Sequence, residues 1–107
     1  MKIRISDQSL SIRLTIEEAQ ALEKGAFITT SLRLNAIDDF RIELHMWHLN
    51  IGEVHSEKNK LSVSIPQKAV RQLAHETGYL FRCEQESHEH PALTLEVEID
   101  LQKAKHS

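Results

Sequence analysis

Three side chains near the C-terminus carry the donor chemistry of a metal site. Cys83, His88 and His90 lie close together among Glu84, Glu86 and Glu89. Thiolate and imidazole are good zinc ligands, and two histidines at i and i+2 point the same way from an extended chain. The spacing matches no recognised zinc pattern, and nothing in the sequence selects a fourth ligand from His45, His48 or His55. The plainer reading is a solvated polar turn beside a small buried thiol. The expectation is therefore no cofactor, with zinc or another divalent metal as the alternative.

A second group surrounds Trp47. His45 and His48 are three residues apart and face opposite sides of a regular strand, so they share a metal only across a bulge. The same parity sets Trp47 on the polar face with Arg41, Glu43 and His45. Aromatic and arginine side chains dominate the energetics of interfaces, so these four residues are a candidate contact surface. The competing reading has Trp47 beyond a bulge and packed inside.

The third group is one of charge. Lys2, Arg4 and Arg13 line one face of the opening segment, while Glu96, Glu98 and Asp100 line one face of the last. Opposite charges on facing strands favour each other by about 0.2–1 kcal/mol per pair, which implies that the terminal strands lie side by side. The alternatives are a carboxylate ladder for a divalent cation or an acid–base pair, and both lapse if arginines engage these carboxylates. No glycine-framed serine is present, and glycines at 25, 52 and 78 are too scattered to cradle a phosphate.

The elements that must position these groups follow from periodicity. Ile3 and Ile5, then Leu10, Ile12 and Leu14, alternate with polar residues and read as a β-hairpin across Asp7. Thr15 with Glu18 forms a capping-box pattern that opens a helix over about 16–24, with Gly25 as its left-handed stop. A second hairpin joins Ala26–Leu34 to Phe40–Met46 through a turn at 35–39. The polar stretch Gly52–Lys60 reads as the longest exposed loop and the most mobile segment. Leu61, Val63 and Ile65 then form a strand, and Pro66 opens a helix with an apolar stripe of Ala69, Val70, Leu73 and Ala74, stopped by Gly78. Leu80–Glu84 adds a short strand, Gln85–Pro91 a polar turn, and Leu93 to Leu101 the clearest alternation in the chain. Residues 103–107 read as a frayed tail. Residues 10–25 and 61–78 share one plan of strand, helix and glycine, with few identities between them.

One apolar and one polar face per strand predicts an α+β domain. Its expected form is a mainly antiparallel sheet, or small open barrel, with two short helices covering one face. At 107 residues, 40% hydrophobic and 27% charged, the chain is one globular domain spanning 1–107. A net charge of -3 gives no global attraction for nucleic acid or anionic lipid. The opening lacks the apolar run of a signal peptide, no stretch suits a membrane span, and a lone cysteine fits a reducing cytoplasm.

The opening Met1-Lys2-Ile3-Arg4-Ile5, the segment Ser11-Ile12-Arg13-Leu14-Thr15 followed by Glu18, and the late Leu95, Val97, Glu98 and Asp100 resemble a family of small uncharacterised bacterial proteins, a domain of unknown function. That resemblance implies a compact fold and transfers no catalytic residue. The expected role is a non-enzymatic binding or regulatory module. It would act through the polar sheet face on a protein partner or on itself as a homodimer, without nucleic acid or membrane. A small metal-dependent enzyme using the His, Cys and acid groups is the alternative. A third reading is a nucleic-acid-binding regulator, since Leu61 to Pro66 leading into Val70-Arg71-Gln72-Leu73 faintly resembles the strand-proline-helix of swapped-hairpin transcription factors.

Overall fold

The structure is a computed structural model that describes residues 1–33, 35, 38–86 and 91–101. The first half runs β1 (Lys2–Ser6), β2 (Ser9–Leu14), α1 (Ile16–Glu23), β3 (Ile28–Arg33) and β4 (Asp39–Trp47). The second repeats that order as β5 (Glu53–Glu57), β6 (Lys60–Pro66), α2 (Gln67–His75), β7 (Leu80–Gln85) and β8 (Leu93–Ile99). Two-residue turns close the first hairpin of each half, with positive φ at Asp7 and Asn59, residue types that tolerate the left-handed region. Gly25 and Gly78 follow the two helices at φ 95° and 81°, a conformation that disfavours any side chain with a Cβ.

Each helix begins where its strand ends. The Thr15 hydroxyl accepts from the Glu18 N–H at 3.1 Å, and the Glu18 carboxylate accepts from the Thr15 N–H at 2.9 Å. The other Glu18 oxygen takes the Met1 amine at 2.7 Å. Burial pushes this carboxyl up, but the amine and the Thr15 hydrogen bonds outweigh that, leaving its pKa below the ordinary carboxylate value. Pro66 serves α2 as N-cap residue, with no side-chain capping bond.

The strands form two four-stranded sheets, ordered β1-β2-β8-β7 and β3-β4-β6-β5. The two halves are interleaved, because each sheet holds one hairpin from each half. The outer pairings are antiparallel, while the central pairs β2 with β8 and β4 with β6 are parallel. The expected mainly antiparallel sheet is thus two mixed, open sheets. The reason is that alternation fixes which face a side chain takes and says nothing about which strand lies alongside.

Register makes the correspondence plain. One row across the first sheet reads Ile3, Ile12, Val97, Phe81, and one row across the second reads Val54, Val63, Leu44, Ile28. From these rows Ile12, Val97, Val63 and Leu44 are fully buried, together with Leu14, Leu22, Ile65, Val70, Leu73 and Leu95. The helices pack chiefly on each other through Ala19 and Leu22 against the Ala69, Val70, Leu73 and Ala74 stripe. His75 Nε2 also meets the Glu23 carboxylate at 2.9 Å.

The stretch 52–60 is not a loop. It holds β5, the turn at Lys58 and Asn59, and the first residue of β6. Val54 is the one apolar residue in β5, so the strand has too little alternation to be read locally; its pairing with β6 forms it. Leu34, Ala36, Ile37, His88, His90 and the tail from 102 lie outside the described residues.

Candidate binding surface

The polar face of the second sheet is organised by β4. Its pairing with β6 continues without a bulge through Met46 opposite Ile65 and Trp47 opposite Pro66. Regular alternation therefore carries Arg41, Glu43, His45 and Trp47 on the face opposite the buried Ile42 and Leu44. Met46 packs against the core, whereas Trp47 does not belong to it.

These side chains have distinct surroundings. Arg41 is exposed, and the Glu43 carboxylate lies 3.6 Å from Lys60 Nζ. His45 Nε2 lies 2.9 Å from the hydroxyl of buried Ser64, its cross-strand partner. The other ring nitrogen, Nδ1, is buried with no hydrogen-bond partner among the described residues. Phe27 stacks on the His45 ring at 5.1 Å and 18°, and remains 61% exposed. Trp47 Nε1 donates to the Ile51 carbonyl at 2.7 Å, which ties the β4–β5 connection back to the sheet. The Ile51 side chain is 63% exposed. The result is a strip of Phe27, His45, Trp47 and Ile51 running from sheet face to loop.

Periodicity had no means of finding Phe27, which precedes its strand. Ile28 pairs with Leu44, so the residue before it comes opposite His45. Ile51 belongs to the strip only through the indole hydrogen bond.

The Ser64–His45 contact has the elements of a nucleophile and base but not their setting. Among the described residues nothing orients His45 through Nδ1, and β4 and β6 are the two central strands, flanked on both sides by ladders. Backbone N–H groups spent in those ladders do not supply an oxyanion hole.

Cys83 stands elsewhere, on β7. Burial pushes its thiol pKa up, against a smaller opposing effect of the Gly52 backbone hydrogen bond, so the neutral thiol dominates at pH 7. A cleft of about 570 Å³ runs between residues 50–53 and β7, with Ile51, Phe81 and Cys83 among its walls. Here Gln85 crosses between the sheets. Its amide accepts from the Val54 N–H at 2.7 Å and donates to the Val54 carbonyl at 2.9 Å, as a neighbouring strand would.

Of the expected metal group only Cys83 is described, since His88 and His90 lie outside the described residues. Among the described residues no three His, Cys, Asp or Glu are grouped to hold a metal ion. His48 is exposed on the loop after β4, and His55 Nε2 lies 3.7 Å from Glu57. The acidic face of β8 is engaged by cations. Arg13 meets Glu98 at 3.1 Å, Lys2 meets Asp100 at 2.9 Å, and Arg82 lies 3.6 Å from Glu96. Arginines thus engage Glu96 and Glu98, for which the ladder and acid–base readings lapse, while Asp100 is engaged by a lysine. Glu98 and Asp100 thereby tie β8 to the first hairpin, and Glu96 ties it to β7.

A family model described as a family of unknown function (DUF7009) matches residues 1–106. No curated protein and no solved structure gives a significant match. No helix among the described residues is long and apolar enough to cross a membrane.

Proposed function

The chain belongs to this family of unknown function, and from that premise we propose that it is a non-enzymatic module binding a protein partner through the polar face of its second sheet. The observation that carries the reading is Phe27, 61% exposed and stacked on His45 beside Trp47. Water is a poor neighbour for such a ring, and an aromatic strip with polar handles suits an interface centre. Arg41, Glu43 and Lys60 around it carry both signs of charge, as the rim of a protein interface does. Both signs also suit a second copy of the chain, the homodimeric form of this reading. Acting in the cytoplasm fits a chain whose one cysteine is free.

The test places a photo-crosslinking p-benzoylphenylalanine at Phe27, and separately at Lys68 on the exposed side of α2 as control. Irradiation of producing cells is expected to give one discrete adduct from position 27 that weakens when Trp47→Ala is added. An adduct of twice the chain mass identifies the homodimer, to be confirmed by light scattering of purified protein. Labelling at 27 no greater than at 68 rejects the reading.

A further inference from the structure

We propose that the outward edge of β1 is a strand-addition site for an extended peptide that alternates apolar with acidic residues. The site lies on the other sheet from the Phe27 strip and stands independently of it.

Hairpin geometry exposes the backbone of this edge. With a two-residue turn closing on Ser6 and Ser9, alternate pairs are hydrogen-bonded, so the N–H and C=O of Ile3 and Ile5 point away from β2. The other half of the molecule shows what such an edge does. Val54 holds the place in β5 that Ile3 holds in β1, and its N–H and C=O are both taken by the Gln85 amide. Four residues along from Phe81 and Ile28, Gln85 in β7 corresponds to Leu32 in β3. An aliphatic chain neither donates nor accepts, and among the described residues nothing else bonds the outward groups of Ile3 and Ile5. Ile5 is 69% exposed, a large apolar side chain on an edge that is unpaired among the described residues. Unpaired edges of this kind are templates for another strand.

Charge selects the occupant. A cleft of about 410 Å³ on the polar face of the β1–β2 hairpin, beside this edge, is lined by Lys2, Ile3, Arg4, Ser11 and Arg13. Arg4 is exposed and has no acidic partner among the described residues. The same hairpin already accepts an acidic alternating strand on its other side, where Leu95, Val97 and Ile99 of β8 alternate with Glu96 and Glu98, and Arg13 and Lys2 meet Glu98 and Asp100. Antiparallel pairing of β1 with a second β1 in its two longer registers would set Arg4 against Arg4 or Lys2, which like-charge repulsion disfavours.

The experiment titrates ¹⁵N-labelled protein with two capped heptapeptides, one alternating valine with glutamate and one alternating valine with lysine. The glutamate peptide is expected to shift the Ile3 and Ile5 amides and slow their exchange about tenfold, as new backbone hydrogen bonds require. The lysine peptide leaves them unchanged, and N-methylation of alternate glutamate-peptide amides abolishes the effect. Arg4→Glu, a solvent-side exchange that leaves the core untouched, reverses the preference between the two peptides. Equal binding of both peptides, no binding of either, or shifts confined to β5 and β7 overturns the proposal. None of these results bears on the Phe27 crosslink.

Discussion

Replacing Gln85 with alanine tests whether a single side chain holds the edge of β5 to the opposite sheet. The wild-type amide makes two hydrogen bonds to Val54, at 2.7 and 2.9 Å, and Val54 is only 9% exposed. A net loss of roughly 0.5–1.5 kcal/mol for each bond gives about 2 kcal/mol, because water reaches the freed backbone groups poorly. For a domain of this size that corresponds to a fall in Tm of about 8–16 °C. Urea denaturation should show a lower midpoint at unchanged slope, and the Val54 amide should exchange faster than the drop in global stability alone explains. Gln85→Glu supplies a second reading. Its carboxylate still accepts from the Val54 N–H but repels the Val54 carbonyl, so the folded state favours the protonated form and raises the pKa. The resulting destabilisation is present at neutral pH and relieved as pH falls through that raised value. An unchanged Val54 exchange rate and an unchanged midpoint in Gln85→Ala would refute the bridge.

Two further perturbations probe other parts of the fold. A Cβ at Gly52 would lie 2.9 Å from Cys83 Sγ and from the Phe81 ring, so Gly52→Ala should cost about 1–3 kcal/mol by overpacking; an unaltered urea midpoint contradicts this. Thr15→Ala should cost about 1 kcal/mol through loss of the α1 cap. The Glu18 carboxylate, whose folded pKa lies below its ordinary value of 4.5, stabilises the fold fully above that value. That contribution disappears as pH falls through the folded pKa. Glu18→Gln should accordingly flatten the acid limb of a stability–pH profile, and an identical limb in both proteins argues against the Met1–Glu18–Thr15 linkage.

Local structure was legible wherever one residue's conformation decides it. Alternation marked β1, β2, β4, β6 and β8 because successive strand side chains take opposite faces whatever lies alongside. Thr15 and Glu18 marked the start of α1 and Gly25 its end, because these are requirements of the backbone itself, whereas α2 already ends at an extended Glu76, two residues before Gly78. The same parity set Trp47 beside His45 on one face. Pairing was a different matter. That β8 lies parallel to β2, that β5 is a strand at all, and that Gln85 stands in for a neighbour of Val54 all depend on residues remote in sequence. So does the strip on the second sheet, since Phe27 reaches His45 only through the β3–β4 register and Ile51 reaches Trp47 only through the indole N–H. Chain-local forces determined the faces; burial of both halves in interleaved sheets decided which faces meet.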